Sequence, residues 1–500
     1  LAVLILALLP AATSPHSIAA PLPSEAPTAV PGRTEPKPAP AGKQPALADA
    51  SEEVAAADGS LVSISSAGGP LAFCSSYGGP NWISRNSRNY QTVRGCSLSV
   101  PTDSVAYINA TATGVLPRDQ GSWVGSFQLA VGATPDSLQG DARTERTLFL
   151  RNNRDLPNDP DSLGAKTLAT SLLQPLAAGT HSFGLLGIAN FGEVRLTNPA
   201  ISVVFIPRTT LDVASCGQGS NTWTATPAAN FQSIVSCPLT VPRDGYALVS
   251  ATSAVGAADQ AYEARFRIGT DTVGAPQSDR YVNVYPAPFS VSSETVASSA
   301  LLPVRAGSNT FHFLGYRYAG SGTMNVRNPY LSVIYFPSSS LSAFSCAAAG
   351  ANLVSVDQTT FTPVVSCQLA VPRDTLAFID SSMSVSIGTS PSGPAQEYEG
   401  RSRIGVDSTE GAAETERRFS TEADEGDGSD LSVAGAVVVP LARGAHTFSV
   451  NVRRSRGNQP VRMYTPTLNV LVPGPRGVKL LPLITIQATA TATNKRIGHE

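Results

Sequence analysis

Histidines, carboxylates and aromatic side chains are where chemistry would have to reside in this chain, and all three are sparse. The five histidines are His16, His181, His312, His446 and His499. Two of them, His181 and His446, hold one place in a recurring phrase, "AAGTHSF" and "ARGAHTF", whose third version "RAGSNTF" carries Asn309. A position that takes either His or Asn, just after a turn glycine and before a core Phe, reads as a strand-start hydrogen-bonding residue rather than a general base. The sequence contains no G-x-S-x-G elbow, no H-E-x-x-H pair and no phosphate-cradling glycine loop with its lysine. Paired carboxylates stay open as a hydrolytic chemistry, because two acids can meet across a fold from distant positions.

Two features could carry binding. The strand "FHFLGYRY" buries Phe311 and Phe313 and turns His312, Leu314, Tyr316 and Tyr318 to its other face, where the third version has Ser449, Asn451 and Arg453. An aromatic stripe present in one copy suits stacking on a sugar ring or a partner, or packing under a covering loop or a neighbouring domain. His312, Tyr316 and Tyr318 are therefore the candidate binding residues. In the acidic loop "TEADEGDGSDLS", Asp424, Asp427 and Asp430 with Gly426 and Gly428 offer hard oxygen ligands for calcium, although the EF-hand spacing is absent and a solvated loop is the plainer reading. No cofactor site emerges.

The six cysteines show what must position these residues. They fall in pairs, 74 and 96, 216 and 237, 346 and 367, and each second cysteine opens one phrase: "CSLSVPTDSVAYINAT", "CPLTVPRDGYALVSAT", "CQLAVPRDTLAFIDSS". Each unit then closes on an apolar strand ending in proline, "NPAISVVFIP", "NPYLSVIYFP" and "TPTLNVLVP". The chain is three copies of one unit. Only one pairing treats the copies alike: Cys74 with Cys96, Cys216 with Cys237, Cys346 with Cys367. Closing a loop of about 20 residues stabilises each unit by roughly 3 kcal/mol. A metal site would need two further Cys or His ligands per copy, which are missing.

Period-two alternation runs through each unit, as in Ala106, Ile108 and Ala110 or Ala247, Val249 and Ala251. The turns Pro101-Thr102-Asp103, Pro242-Arg243-Asp244 and Pro372-Arg373-Asp374 start that strand, so their aspartates read as turn residues. Trp82 and Trp223, with Leu353 third, are expected to shield the bridge in the core. About eight strands per unit and no amphipathic helix give the fold class: all-β, three tandem antiparallel β-sandwich domains of jelly-roll type, each with one local disulfide, after a disordered N-terminal linker. The expected boundaries are a signal peptide at 1–19 with a truncated start, a Pro/Ala-rich linker at 20–62, repeats at 63–207, 208–337 and 338–473, and a tail at 474–500. Asn109-Ala110-Thr111 matches a glycosylation acceptor, meaningful only in a eukaryote.

The phrases "VPRDGYALVSAT", "VRAGSNTFHFLGY" and "LSVIYFP" make the second unit resemble the jelly-roll repeats of secreted bacterial proteins related in pattern to the C1q and tumour-necrosis-factor-like fold. The likeness runs best over 209–337, well over 338–473 and loosely over 63–207. It implies the fold and an extracellular binding or scaffold role, and places no functional residue.

A formal charge of −2 gives no basic stripe for nucleic acid, and the apolar N-terminal run is too short to span a membrane. Apolar leader and paired cysteines together point to secretion. The expected function is non-enzymatic binding, adhesion or cell-surface structure, with a glycan or a cell-surface protein as partner. The alternative is an extracellular polysaccharide hydrolase with accessory sandwiches.

Overall fold

The computed structural model describes residues 62–473 with interruptions, the longest being 65–71, 152–164, 285–293, 387–395 and 424–429. The expected leader, nearly all of the linker and the tail lie outside the described residues.

Alternation along each repeat produces two antiparallel sheets. In the second repeat the inner sheet runs Val213–Gly217, Met324–Pro337, Gly245–Ala257, Glu294–Val304, and the outer sheet runs Gln232–Val241, Gly307–Gly320, Tyr262–Gly269, Arg280–Val284. The third repeat repeats that order, with Leu341–Ala347, Val461–Pro473, Thr375–Ser386 and Asp430–Leu441 inside, and Thr362–Val371, Gly444–Arg456, Gln396–Val406 and Arg417–Ala423 outside. The first has Ala72–Ser76, Glu193–Pro207, Ser104–Val115 and Ala165–Leu176 inside, and Gln91–Val100, Gly179–Phe191, Ser122–Gly132 and Arg146–Arg151 outside. Helical structure among the described residues is limited to single 3₁₀ turns such as Pro276–Ser278. The fold class is the expected one, all-β with sandwiched antiparallel sheets. Gly192, Gly320 and Gly457, with φ of 71°, 82° and 81°, turn the last hairpin of each repeat where a Cβ would be strained.

Each repeat has its own core between its sheets, built on Phe127 and Val203 in the first, Phe266 and Val333 in the second, Phe419 and Val470 in the third. A half-solvated sheet would alternate buried and exposed, yet every residue of Ser104–Val115 is buried. The second face of each inner sheet is covered by the other two repeats. Tyr107, Leu248 and Phe378 hold one position in the three copies and meet in a shared apolar cluster with Leu173, Leu301 and Val438. Ala169, Ala297 and Ala434, again equivalent, touch one another one layer along. Each large side chain so withdrawn from water contributes roughly 1.5–3 kcal/mol. The tandem repeats thus close cyclically around a pseudo-threefold axis.

Polar contacts between repeats follow the same rotation. A motif of hydroxyl, acid and arginine recurs as Thr144-Glu145-Arg146, Ser278-Asp279-Arg280 and Thr415-Glu416-Arg417. The hydroxyl secures the turn to the neighbouring outer strand: Thr144 accepts from Leu129 N at 2.8 Å, Ser278 from Ile268 N at 2.9 Å, Thr415 from Ile404 N at 3.0 Å. The arginine, fully buried, crosses to the next repeat. Arg146 donates to Thr252 Oγ1 at 2.6 Å, Arg280 to Thr465 O at 3.1 Å and Ser382 O at 3.0 Å, and Arg417 to Thr111 Oγ1 and, at 3.1 Å, to Asn198 O. Burial lowers Arg146 and Arg280 to about 9 and Arg417 to about 10, so all three remain charged at neutral pH.

The opposite side of each junction is the start of the repeated apolar strand. Asn198, Asn328 and Thr465 adopt φ of 48°, 47° and 45° just before proline, an unfavourable backbone above all for β-branched Thr465. Their side chains donate across to the acid's carbonyl: Asn198 to Glu416 O at 3.3 Å, Asn328 to Glu145 O at 3.3 Å, Thr465 to Asp279 O at 2.6 Å. The pairing register shifts at this point in all three copies.

Candidate binding face and its setting

The acid of each motif points back to the outer sheet of its own repeat, where the three copies diverge. In the second repeat, Asp279 receives Arg265 Nη2 at 2.6 Å and Arg267 Nη2 at 2.7 Å. Held in this way, the Arg265 guanidinium lies 4.6 Å from the Tyr281 ring centroid and 5.8 Å from both Tyr316 and Tyr318, and Arg267 lies 4.4 Å from Phe231. Such placements are attractive because a cation meets the negative faces of the rings. Tyr316 packs edge-on against Phe231 at 4.7 Å and Tyr318 at 6.2 Å, and its hydroxyl accepts from Arg265 at 3.0 Å. Tyr318 is 57% exposed. Tyr281 meets Tyr464 of the third repeat at 5.3 Å, so the cluster reaches the junction.

The equivalent place in the third repeat is ionic. Glu416 pairs with Arg401 at 3.0 Å and Arg403 at 2.8 Å, Glu399 pairs with Arg418, and Phe361 is flanked by Arg403 and Arg453 at 4.5 and 4.7 Å. In the first repeat the acid faces uncharged groups: Tyr90 donates to Glu145 at 3.2 Å, and Asn190 and Thr147 bond Ser126 at 2.8 and 3.1 Å.

The expected stripe is interrupted. Tyr316 and Tyr318 belong to the cluster, but Leu314 between them and His312 is fully buried. His312 bonds Ser233 at 3.0 Å instead. Phe231, Arg265, Tyr281 and Tyr464 were not anticipated. The signal for the first was present, since Tyr90, Phe231 and Phe361 each stand six residues before the second cysteine of their repeat.

The remaining expectations resolve as follows. Cys74 and Cys96 form a disulfide with Cα atoms 6.1 Å apart. The side chains of Cys216 and Cys346 lie outside the described residues, so their pairings with Cys237 and Cys367 stay proposals. Trp82 is core and Trp223 packs on it, but Leu353 is 44% exposed; Val354 takes the third place, pairing Met463 as Trp82 pairs Leu196 and Trp223 pairs Val326. That one-residue slip turns every side chain of a short strand to the other face. His181 bonds Ala177 O at 2.8 Å, His446 bonds Ala442 O at 2.7 Å and Asn309 donates to Arg305 O at 2.9 Å, the structural role read from the sequence. Asp103, Asp244 and Asp374 stand in their turns and also cap a distant hairpin, accepting from Ala178 N, Ala306 N and Arg443 N at 3.1, 2.8 and 2.8 Å. Asn109 is 7% exposed in mid-strand, out of reach of a glycosylating enzyme in the folded protein.

Of the calcium candidates, Asp424 and Asp427 lie outside the described residues. Asp430 starts its strand with a carboxyl that burial first, and Glu263 second, push up to about 7, against a hydrogen bond from Ser386. A second buried acid, Asp380, lies in the polar layer at the axis. Burial raises it to about 6 despite hydrogen bonds from Ser299 and Asn469 and the charge of Arg280.

These features define an all-β protein of sandwiched sheets whose second repeat carries an aromatic cluster on its outer sheet. No family model matches the sequence, and no curated protein matches it. Among solved structures it is weakly similar to PNGF-II, with a TM-score of 0.25 and 9% identity over 73% of this chain and 98% of that one. The CBM22-1-CBM22-2 tandem domain of Paenibacillus barcinonensis Xyn10C gives a TM-score of 0.14 and 10% identity, covering 52% and 98% of the two chains. The stem and receptor-binding domain of spike protein P1 from bacteriophage PM2 gives 0.14 and 12%, covering 50% and 98%. Likeness at this level carries no argument about function. Among the described residues no helix is long and apolar enough to cross a membrane.

Proposed function

We propose that the protein is a secreted, non-enzymatic binding protein that presents the Tyr316 and Tyr318 face of its second repeat to a carbohydrate, with repeats 63–207, 208–337 and 338–473 serving as one display body. One observation carries this reading: the outer-sheet face of the second repeat gathers Phe231, Tyr281, Tyr316 and Tyr318 around one arginine and leaves Tyr318 57% exposed. A flat, rigid ring stacks on the apolar face of a sugar at little entropic cost. Arg265, tied to Asp279, orders the rings before a ligand arrives. The sheet order and cyclic closure support the narrower reading of the repeats as C1q- and tumour-necrosis-factor-like jelly rolls, and the Cys74–Cys96 bridge fits an oxidising compartment.

The rival reading, a polysaccharide hydrolase, needs an acid and a partner carboxylate that reach substrate. Glu263 and Asp430 are within electrostatic reach of each other, but Asp430 Oδ1 is sealed from solvent, which favours binding over turnover. A glycan array probed with the full chain tests both readings. Binding to a defined glycan class should fall at least about tenfold, or roughly 1.4 kcal/mol, in Tyr318→Ala with unchanged melting temperature. Polysaccharide turnover by the wild type that disappears in Glu263→Gln would reverse the order of the two readings.

A further inference from the structure

Strand register lines up the aromatic cluster of the second repeat as a row that runs across the strands and on into the third repeat. Tyr316 stands directly opposite Arg265 in one ladder, and Arg265 directly opposite Tyr281 in the next. Side chains paired in this way share one face of the sheet. Phe231 extends the row at one end through its 4.7 Å contact with Tyr316, and Tyr464 extends it at the other, 5.3 Å from Tyr281 across the junction. Tyr464 is in turn the cross-strand partner of Leu353, so these two also share a face. The slip that turns Leu353 out of its own core thus sets a 44% exposed apolar side chain at the far end of the row.

The other two junctions are polar at the same three places. Tyr281 N donates to Ser384 Oγ at 2.7 Å as Arg418 N donates to Thr113 Oγ1 at 3.1 Å, which fixes the correspondence. From the first repeat to the second, the counterparts of Tyr281, Tyr464 and Leu353 are Thr147, Arg327 and Thr222. From the third to the first they are Arg418, Thr197 and Asn81. Polar side chains suit a junction that meets water. Aromatic and apolar residues at all three places of one junction, in line with the exposed cluster, suit a ligand that crosses it. The outer sheet has four strands, and with the crossing to Tyr464 and Leu353 the row is roughly 20–25 Å long at about 4.8 Å per strand, more than one sugar ring covers.

We propose that this row is a track for an extended, ribbon-like glycan of several sugar units, which lies across the strands with its far end on Tyr464 and Leu353 of the third repeat. The proposal rests on the carbohydrate reading of the Tyr318 face and specifies its ligand: a linear chain rather than a terminal sugar. Rings spaced along a line stack on successive apolar faces of such a chain. A polypeptide strand fits less well, because a row of side chains crossing the sheet offers no line of backbone groups for it to pair with.

Titration calorimetry of the full chain with cello- and chito-oligosaccharides, from dimer to hexamer, tests the track. In at least one series, affinity should rise about tenfold or more from dimer to hexamer. Leu353→Thr, which copies the second repeat at an exposed place, and Tyr464→Ala should each weaken hexamer binding roughly three- to tenfold and leave dimer binding unchanged. Leu353→Thr keeps the test open should Tyr464→Ala fail to fold. Affinity that does not grow with length, or hexamer binding that Leu353→Thr and a folded Tyr464→Ala both retain, overturns the proposal and leaves the Tyr318 reading standing. So does binding of branched glycans alone through Tyr318. Binding to no glycan, with or without binding to an extended peptide, overturns both.

Discussion

The inter-repeat junctions and the outer sheets obey opposite rules. At the junctions, Arg146, Arg280 and Arg417 make the same crossing to Thr252, Ser382 and Thr111, and three left-handed residues before proline answer from the other side. On the outer sheets, the acid of the motif meets uncharged groups in the first repeat, arginines set among tyrosines in the second and a wider arginine-glutamate network in the third. The difference follows from what each surface must cover. An inner sheet hides its second face only if both neighbours present complementary layers, so a change in one copy is felt in all three. An outer sheet faces water and can vary without disturbing its siblings, which is where a ligand site can arise in a single copy.

The largest effect should come from breaking the junction. Arg280→Ala strands the carbonyls of Thr465 and Ser382 together with their hydroxyls, and should cost about 3–5 kcal/mol in chemical denaturation. Arg403→Ala, the same residue type on the outer sheet, should cost within about 1 kcal/mol. Comparable losses would erase the contrast between the two regions.

Next is the axis, where Asn109, Ser250 and Asp380 are equivalent and only the last can ionise. Its neighbours are Ser299, Asn469 and the charge of Arg280, with Tyr107 nearby, itself raised by burial and by Asp380. The folded acid titrates at about 6 against an ordinary 3.8, so the native state holds a proton that the unfolded chain has released. Stability from this group therefore falls as pH rises from about 4 to about 6, and the penalty is complete above that. Asp380→Asn should gain up to about 3 kcal/mol at pH 7.5 and nothing below pH ~4, read as the difference in unfolding free energy across pH.

The smallest effect concerns His446, whose Nδ1 meets Asp407 at 2.6 Å while Nε2 donates to Ala442 O. Burial opposes its charge, but the carbonyl and Asp407 prevail and raise its pKa. That contribution is present at acidic pH and is lost as pH rises through the raised value. His446→Asn, which copies the second repeat, should cost below about 1 kcal/mol at pH 5 and less at pH 8. Thermal melts at the two pH values would show it.

Much of this was legible in the sequence because it is local or repeated. The cysteine pairs, the period-two runs and the His-or-Asn position each announce themselves within a few residues, and the fold class follows from them. The cyclic closure did not, since an inner-face Leu248 or Phe378 looks like any strand residue until its partners, more than a hundred positions away, are known. The hydroxyl-acid-arginine motif could have exposed it, but three residues with three different tasks do not look like one device. The misplacement of Leu353 came from matching residue size rather than strand register. Tyr318 stands out in the sequence because exposed aromatic side chains are uncommon, whereas Arg265 carries no such mark, since charged residues are usually solvated.

One consequence concerns synthesis. The bond from Arg417 to Thr111 joins positions 306 residues apart. The first repeat therefore leaves the ribosome with an apolar sheet bare, and the second repeat can cover only part of it until the third has been translated. Folding of this chain is a wait for its own C-terminal portion, during which that sheet is the surface a holding chaperone would grasp or a second nascent chain would wrongly cover.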